Sequence, residues 1–411
     1  MIRILHTADI HLDSPLKSLA LRNEALRDVV HAATRDAFAR LVDTAIAGDV
    51  AAVLIAGDLF DGAERSARTA AFLTGQFDRL RQAGIRAFYI KGNHDAENPV
   101  TGELSLPDNV HVFDGRGGKE QLADGVWIHG VSFARAHAPE SLLDRFPPPV
   151  PGAVNIAMLH TSLAGAEGHD VYAPCSVAEL AAMGFDYWAL GHVHKRQVHA
   201  RAPFIVMPGM PQGRDIGEAG PKSATLITID SHTLDIREIA TSVAEFAALE
   251  IDVSAIADDD ALRALLRARL AALAADTVAD AGIVRITLTG TPARHWQILR
   301  DRDIWQETAA DLARQTGRLW LDKLVLDLSA PAGTATGAAA TDELARLMEA
   351  IGKEPGFAAS VREEVEAVLS ELPAHRRNAL MPDEAAVDAL GERLLANGAS
   401  RLVARMKGAA G

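Results

Sequence analysis

One recurrence constrains this chain more than any other feature. Five times, a short apolar run of strand length ends in a turn that carries Asp, His or Asn. Arg3-Ile4-Leu5 leads to Asp9-Ile10-His11, Val53-Leu54-Ile55-Ala56 to Gly57-Asp58-Leu59-Phe60-Asp61, and Ala87-Phe88-Tyr89-Ile90 to Gly92-Asn93-His94-Asp95. Ile156–Leu159 runs into His160-Thr161-Ser162, and Tyr187–Leu190 into Gly191-His192-Val193-His194. Helix-like spacing fills the early gaps: Leu26, Val30, Phe38, Leu41, Val42 and Ile46 within about 23–48, then Phe72, Leu73, Phe77 and Leu80 within 66–83. Strand alternating with helix predicts an α/β fold, in which sites form beyond the C-terminal ends of strands. Further strands are expected at Val126–Val131, Phe204–Met207 and Ala224–Ile229.

The residue types in those turns suit metal ions. In Asp9-x-His11 and His192-x-His194 the two side chains of each pair leave an extended strand end on the same side, so both can approach one ion. Glycine before Asp58, Asn93 and His192 permits a sharp turn and a close backbone approach. Nitrogen and oxygen donors without sulfur favour Mn²⁺, Fe²⁺ or Zn²⁺ over Mg²⁺ or Ca²⁺. His31, His129, His137, His199 and His375 stand outside these turns and are read as structural or surface residues.

Composition narrows the class. At roughly 150 residues per domain, the 411 residues correspond to two or three domains. Cys175 is the only cysteine, which excludes an internal disulfide framework and a thiolate zinc cluster. Asp9 interrupts the N-terminal apolar stretch, and no apolar run approaches the roughly 20 residues of a membrane span. A soluble cytoplasmic protein is expected. The net charge of −14 opposes bulk electrostatic binding of nucleic acid, so a phosphate substrate would need cations or a local arginine cluster. Arg65, Arg68, Lys195, Arg196 and Arg214 are the candidates for such a cluster.

Three segments are expected. Residues 1–240 hold the motifs, with the Pro-rich 146–151 as a rigid loop and Gly115-Arg116-Gly117-Gly118-Lys119 as a turn. Residues 245–330 read as a small α+β module, with Leu249, Ile251 and Val253 alternating, a leucine stripe over 262–273, a helix at 302–315 and a strand at Leu319–Leu328. An Ala/Gly/Thr-rich linker at 330–340 precedes a helical tail, 341–411, in which Ser360-Val361-Arg362-Glu363 reads as a capping box and Asp383 as a cap. Whether these helices pack on the body or present their apolar faces to a partner is left open.

The five motifs in series resemble the calcineurin-like metallophosphoesterase superfamily. His6-Thr7-Ala8-Asp9-Ile10-His11-Leu12-Asp13-Ser14-Pro15, Gly57-Asp58-Leu59-Phe60-Asp61 and Gly191-His192-Val193-His194-Lys195, with Gln212-Gly213-Arg214 downstream, are similar to SbcD-type DNA repair exonucleases. The resemblance is specific over about the first 220 residues. It implies a two-sheet α/β sandwich core, a small α+β capping domain over 245–330 and a helical partner-binding tail. It implies one cation held by Asp9, His11, Asp58 and His194, and a second held by Asp58, Asn93, His160 and His192, with two Mn²⁺ as the expected pair. It further implies His94 as the acid or phosphate-orienting group, Asp95 as the support of its ring, and Asp61, Lys195 and Arg214 on the substrate side. Asp61 stands where some relatives carry histidine, and Met210 where a polar residue is expected.

The function implied is a Mn²⁺-dependent DNA exonuclease or endonuclease subunit for DNA repair, paired with an SbcC-like coiled-coil SMC-type ATPase. A homodimer is among the open assembly states. The alternative is a metallophosphatase or phosphodiesterase for a small-molecule or other phosphoester, since the same donors serve both. Against a protein phosphatase, Asp61 is followed by Gly62-Ala63 rather than Arg-Gly, and His94 by Asp95 rather than Glu. A scaffold with a structural metal site is the non-enzymatic alternative.

Overall fold

The computed structural model describes the chain except residues 15, 17–25, 27–29, 31, 62–65, 98–105, 164–171, 331–338, 373–376, 378–380, 382 and 409–411. His31, Arg65, His375, most of the expected linker and the expected start of the first helix therefore lie outside the described residues.

In order come β1 (Ile2–Thr7), α1 (Ala33–Ala47), β2 (Ala52–Ala56), α2 (Ala67–Gln82), β3 (Arg86–Ile90), α3 (Asn93–Glu97) and β4 (Val110–Val112). Next are β5 (Gly118–Ala123), β6 (Val126–Val131), β7 (Val154–His160), α4 (Val177–Ala182), β8 (Tyr187–Gly191), β9 (Gln197–Arg201) and β10 (Phe204–Met207). Then follow β11 (Ser223–Asp230), β12 (Thr233–Ala240), β13 (Ala244–Asp252), α5 (Asp259–Asp276), β14 (Ala281–Gly290), α6 (His295–Arg300), α7 (Arg302–Gln315) and β15 (Leu319–Leu328). The chain closes on α8 (Ala339–Gly352), α9 (Pro355–Ser370) and α10 (Glu384–Gly408).

The chain divides into two units. The first comprises Met1–Ala248, Ala272–Arg285 and Thr316–Asp322. It holds two six-stranded mixed sheets, ordered β12-β11-β1-β2-β3-β4 and β5-β6-β7-β8-β10-β9. Side-chain alternation builds the layers: Ile4, Leu54, Phe88 and Ile90 pack with Ile128, Ile156, Met158 and Tyr187 between the sheets. The neighbours one residue along (Leu5, Val53, Ile55, Ala87, Tyr89) instead meet Phe38, Leu41, Leu73 and Phe77 of α1 and α2. On the second sheet Leu159, Trp188 and Leu190 turn outward onto Leu180 and Phe185. Burial on both faces explains why β2 and β8 are nearly continuous apolar runs. Parallel pairing of β1 with β2, β2 with β3, and β7 with β8 brings their C-terminal ends, where the motifs lie, to one edge of each sheet.

The second unit comprises Leu249–Ala271, Ile286–Gln315 and Lys323–Gly411. Within it α10 packs on α6, where Lys407 lies over the Trp296 ring at 4.5 Å, and α8 and α9 pack on α10. Strands β13, β14 and β15 form a third sheet in that order.

One expectation changes. Ser360 lies inside α9, which begins at Pro355 after Glu354, so no capping box forms there. Proline at the first helical turn, where its missing N–H costs nothing, sets the start. Of the helix placed over about 23–48, α1 from Ala33 is described, and its expected start lies outside the described residues. Met210, where a polar residue is expected, is completely buried. Asp383 does accept from the Ala386 N–H at 2.8 Å, at the start of α10. Among the described residues no helix is long and apolar enough to cross a membrane.

Candidate metal centre

The strand ends converge. Among the described residues, Asp9, His11 and His194 offer donor atoms within 4.8 Å of one another, as do Asp58, His160 and His192, and as do His11, Asp58 and His94. Asp58 thus reaches both neighbourhoods. Asn93 Oδ1 joins the second, 3.1 Å from His160 Nε2. All these residues lie in the first unit.

The local backbone is bent to aim them. Asp9, His11, Asp58 and His192 have positive φ values of 53°, 46°, 51° and 100°. Non-glycine residues occupy that region at a cost of order 1–3 kcal/mol each, which the surroundings must offset. They do so by bonding the turns together: Asp9 N–H donates to Gly57 O and His11 N–H to Asp58 O, both at 3.0 Å. The His192 N–H donates to both Asp9 carboxylate oxygens at 3.0 Å, and the His94 N–H to Asp58 Oδ1 at 3.0 Å. Glycine is required at the closest approach, because a Cβ on Gly92 would stand 2.2 Å from Asp58 Oδ1.

The donor set fits cations for a specific reason. His160 Nδ1 donates to the Ala56 carbonyl at 2.9 Å, so the Nε2 of a neutral ring is a lone pair. That lone pair faces Asn93 Oδ1 at 3.1 Å and Asp58 Oδ2 at 3.4 Å, three acceptors around one point. His194 Nδ1 lies 2.7 Å from Glu218 Oε1 and His11 Nδ1 lies 3.3 Å from Asp61 Oδ1, leaving the two Nε2 atoms 3.2 Å apart. Acceptors crowded together without donors call for positive charge between them.

Ionisation bears this out. Burial opposes the charged ring of His160, but the adjacent Asp58 carboxylate outweighs it and raises the pKa to about 9. Burial likewise opposes the charge on Asp58, yet His160 holds it below the usual carboxylate range. Asp9 is pushed up by burial.

The other predicted residues are placed as follows. His94 is half-buried, its ring edge-on to His11 at 5.0 Å between centroids. Asp95 is fully buried, and its oxygens accept from the Phe60 and Gly92 N–H groups, each at 3.0 Å. It fastens the Asp58 turn to the Asn93 turn. Burial, then the charge of Asp58, raises its pKa to about 6. Asp61 sits behind His11. Arg214 is held by Glu218, with Nη2 donating to Oε1 at 2.8 Å. Arg196 points elsewhere, paired with Glu238 at 3.2 Å, while Lys195 and Arg68 are exposed. Among the described members of the expected basic cluster, Arg214 contacts the carboxylates beside His11 and His194.

Sequence reasoning missed Glu218. Its only signal was its place four residues after Arg214. It missed Asp13 as well, whose carboxylate is gripped by Arg35 at 2.5 and 2.6 Å and by Thr69, tying the turn after His11 to α1 and α2.

Residues 2–196 match the family model for the calcineurin-like phosphoesterases. The N-terminal part of this chain is similar to the calcineurin-like phosphoesterases. Residues 246–329 match the middle domain of the metallophosphoesterase YhaO. The uncharacterized metallophosphoesterase YhaO of Bacillus subtilis is 37% identical over 234 residues, which cover 56% of this chain and 57% of that protein. The DNA double-strand break repair protein Mre11 of Methanopyrus kandleri is 25% identical over 235 residues, covering 51% and 49% respectively. A dimetal phosphatase from Danio rerio aligns in structure with a TM-score of 0.36 and 9% identity, over 59% of this chain and 98% of its own. The chain spans about half the length of the curated relatives it matches.

Proposed function

We propose that this phosphoesterase domain is a two-metal phosphodiesterase acting on DNA, an exonuclease or endonuclease subunit in DNA repair that works with two Mn²⁺. The observation that carries the metal chemistry is Asp58, whose one carboxylate serves two donor sets built from four other strand ends. Two divalent ions there would activate water at neutral pH and neutralise the non-bridging phosphoryl oxygens. Asp9, His11, Asp58 and His194 would hold one, and Asp58, Asn93, His160 and His192 the other. His94 presents a half-buried ring beside them and would donate a proton to the leaving oxygen, worth on the order of 10² to 10⁴ in rate.

Support for DNA comes from relatives named as double-strand break repair proteins. The negative net charge, and the scarcity of free arginine at the ligands among the described residues, support a reading in which grip on DNA is supplied by a partner, an SMC-type coiled-coil ATPase. The same scarcity favours the second reading, a phosphoesterase for a small molecule. A Mn²⁺ assay comparing linear duplex DNA, single-stranded circles and a generic phosphomonoester separates them. Cleavage of either DNA is expected; turnover of the phosphomonoester alone would overturn the nuclease reading.

A further inference from the structure

Arg214 invites a substrate role by its charge and place, yet its contacts all run inward. Its Nε and Nη2 approach Glu218 Oε2 and Oε1 at 3.3 and 2.8 Å, and its Nη1 lies 3.6 Å from Asp61 Oδ1. Those two carboxylates are the ones that back His194 at 2.7 Å and His11 at 3.3 Å. A continuous bracket results, His11–Asp61–Arg214–Glu218–His194, closed by the two Nε2 atoms that face each other at 3.2 Å.

The bracket is stiff for reasons in the local chain. The Arg214 N–H donates to Glu218 Oε2 at 2.7 Å, so main chain and side chain of one residue hold the same carboxylate. Asp215 accepts from the Gly217 N–H at 2.8 Å and starts the 3₁₀ turn Ile216–Glu218. Upstream, fully buried Gln212 accepts from Val243 N–H and Ala244 N–H at 3.0 and 3.2 Å and donates to Ala244 O at 2.6 Å. Electrostatics require the guanidinium too. Asp9, Asp58, Asp61 and Glu218 place four carboxylates around the region of one divalent ion, and Arg214 offsets part of that excess.

We infer that Arg214 is a positioning residue for the cation held by Asp9, His11 and His194, acting through Asp61 and Glu218, rather than a substrate-binding residue. The inference rests on the two-metal reading above. Partners of this kind fix the ring tautomer and orientation of a ligating histidine, and their loss costs about 10- to 100-fold in metal affinity.

The test is Mn²⁺ titration by calorimetry on the chelator-stripped full chain. Wild type is expected to bind two ions. Arg214→Gln should weaken one site about 10- to 100-fold and leave the affinity of the other unchanged. Arg214→Lys, which keeps charge but lacks the fork, should fall short of rescue. Glu218→Gln should weaken the same site, and the loss in the double variant should fall short of the sum of the two single losses. If Arg214→Gln melts early, the Glu218→Gln result decides. Two ions bound with wild-type affinity in these variants, with only the KM for DNA raised, would overturn the bracket and restore Arg214 as a substrate contact. A wild-type chain that binds no Mn²⁺ would overturn the metal centre itself.

Discussion

Asp58 concentrates the argument at the residue scale, because one side chain is asked to serve two cation sites. Replacing it removes the shared donor and the acceptor for the His94 N–H together. Asp58→Ala is therefore expected to lose both ions, read by elemental analysis of the purified chain; two ions retained would show that it does not bridge. His94 differs, since its main chain rather than its ring supports Asp58. His94→Ala should keep two ions by the same analysis and slow hydrolysis of a labelled DNA end by roughly 10² to 10⁴. Unchanged turnover would make the ring a bystander. The strand-end residues were legible in sequence because metal chemistry restricts their types. Glu218 and Asp13 were not, since a carboxylate that backs a histidine or ties a turn looks like any solvated acid until the fold supplies its partner.

At the scale of elements, the strands foreseen were the buried ones. β4, β5, β9 and β12, which no apolar run announced, are the four edge strands of the two large sheets. Sequences such as Gly-Lys-Glu-Gln-Leu-Ala and Gln-Val-His-Ala-Arg carry little apolar signal because an edge is half solvated. Their strand form comes from pairing, as in the register of β12 on β11 from Ser223↔Ala240 to Asp230↔Thr233. Capping shows the same dependence. Ser176 caps α4 with a true box, its hydroxyl accepting from the Glu179 N–H at 3.2 Å, whereas Ser360 lies inside α9. Ser176→Ala should cost about 1 kcal/mol and Ser360→Ala within about 0.5 kcal/mol, both measured by denaturant unfolding. Equal losses would contradict the assigned helix starts.

For the molecule as a whole, every proposed donor and both ends of the bracket lie in the first unit, and the tail helices lie in the second. Removing residues 341–411 is thus expected to leave two ions per chain and Mn²⁺-dependent hydrolysis of a generic phosphodiester intact. Co-purification with a coiled-coil ATPase should weaken in the same truncation; if it survives, the tail is not the docking element. The open choice for the tail is partly resolved, since α10 packs on α6 within its own unit.

Sequence alone determined the class of this protein. Buried parallel strands must be apolar and their ends must turn, so order and residue type sufficed for the α/β core and for the strand-end turns that the fold brings together. Tertiary structure decided the rest, namely that Asp95 serves loops, that Arg196 turns away to Glu238, and that Arg214 faces Glu218. A charged side chain has many partners within reach of its long stem, and only the fixed positions of distant backbone choose among them.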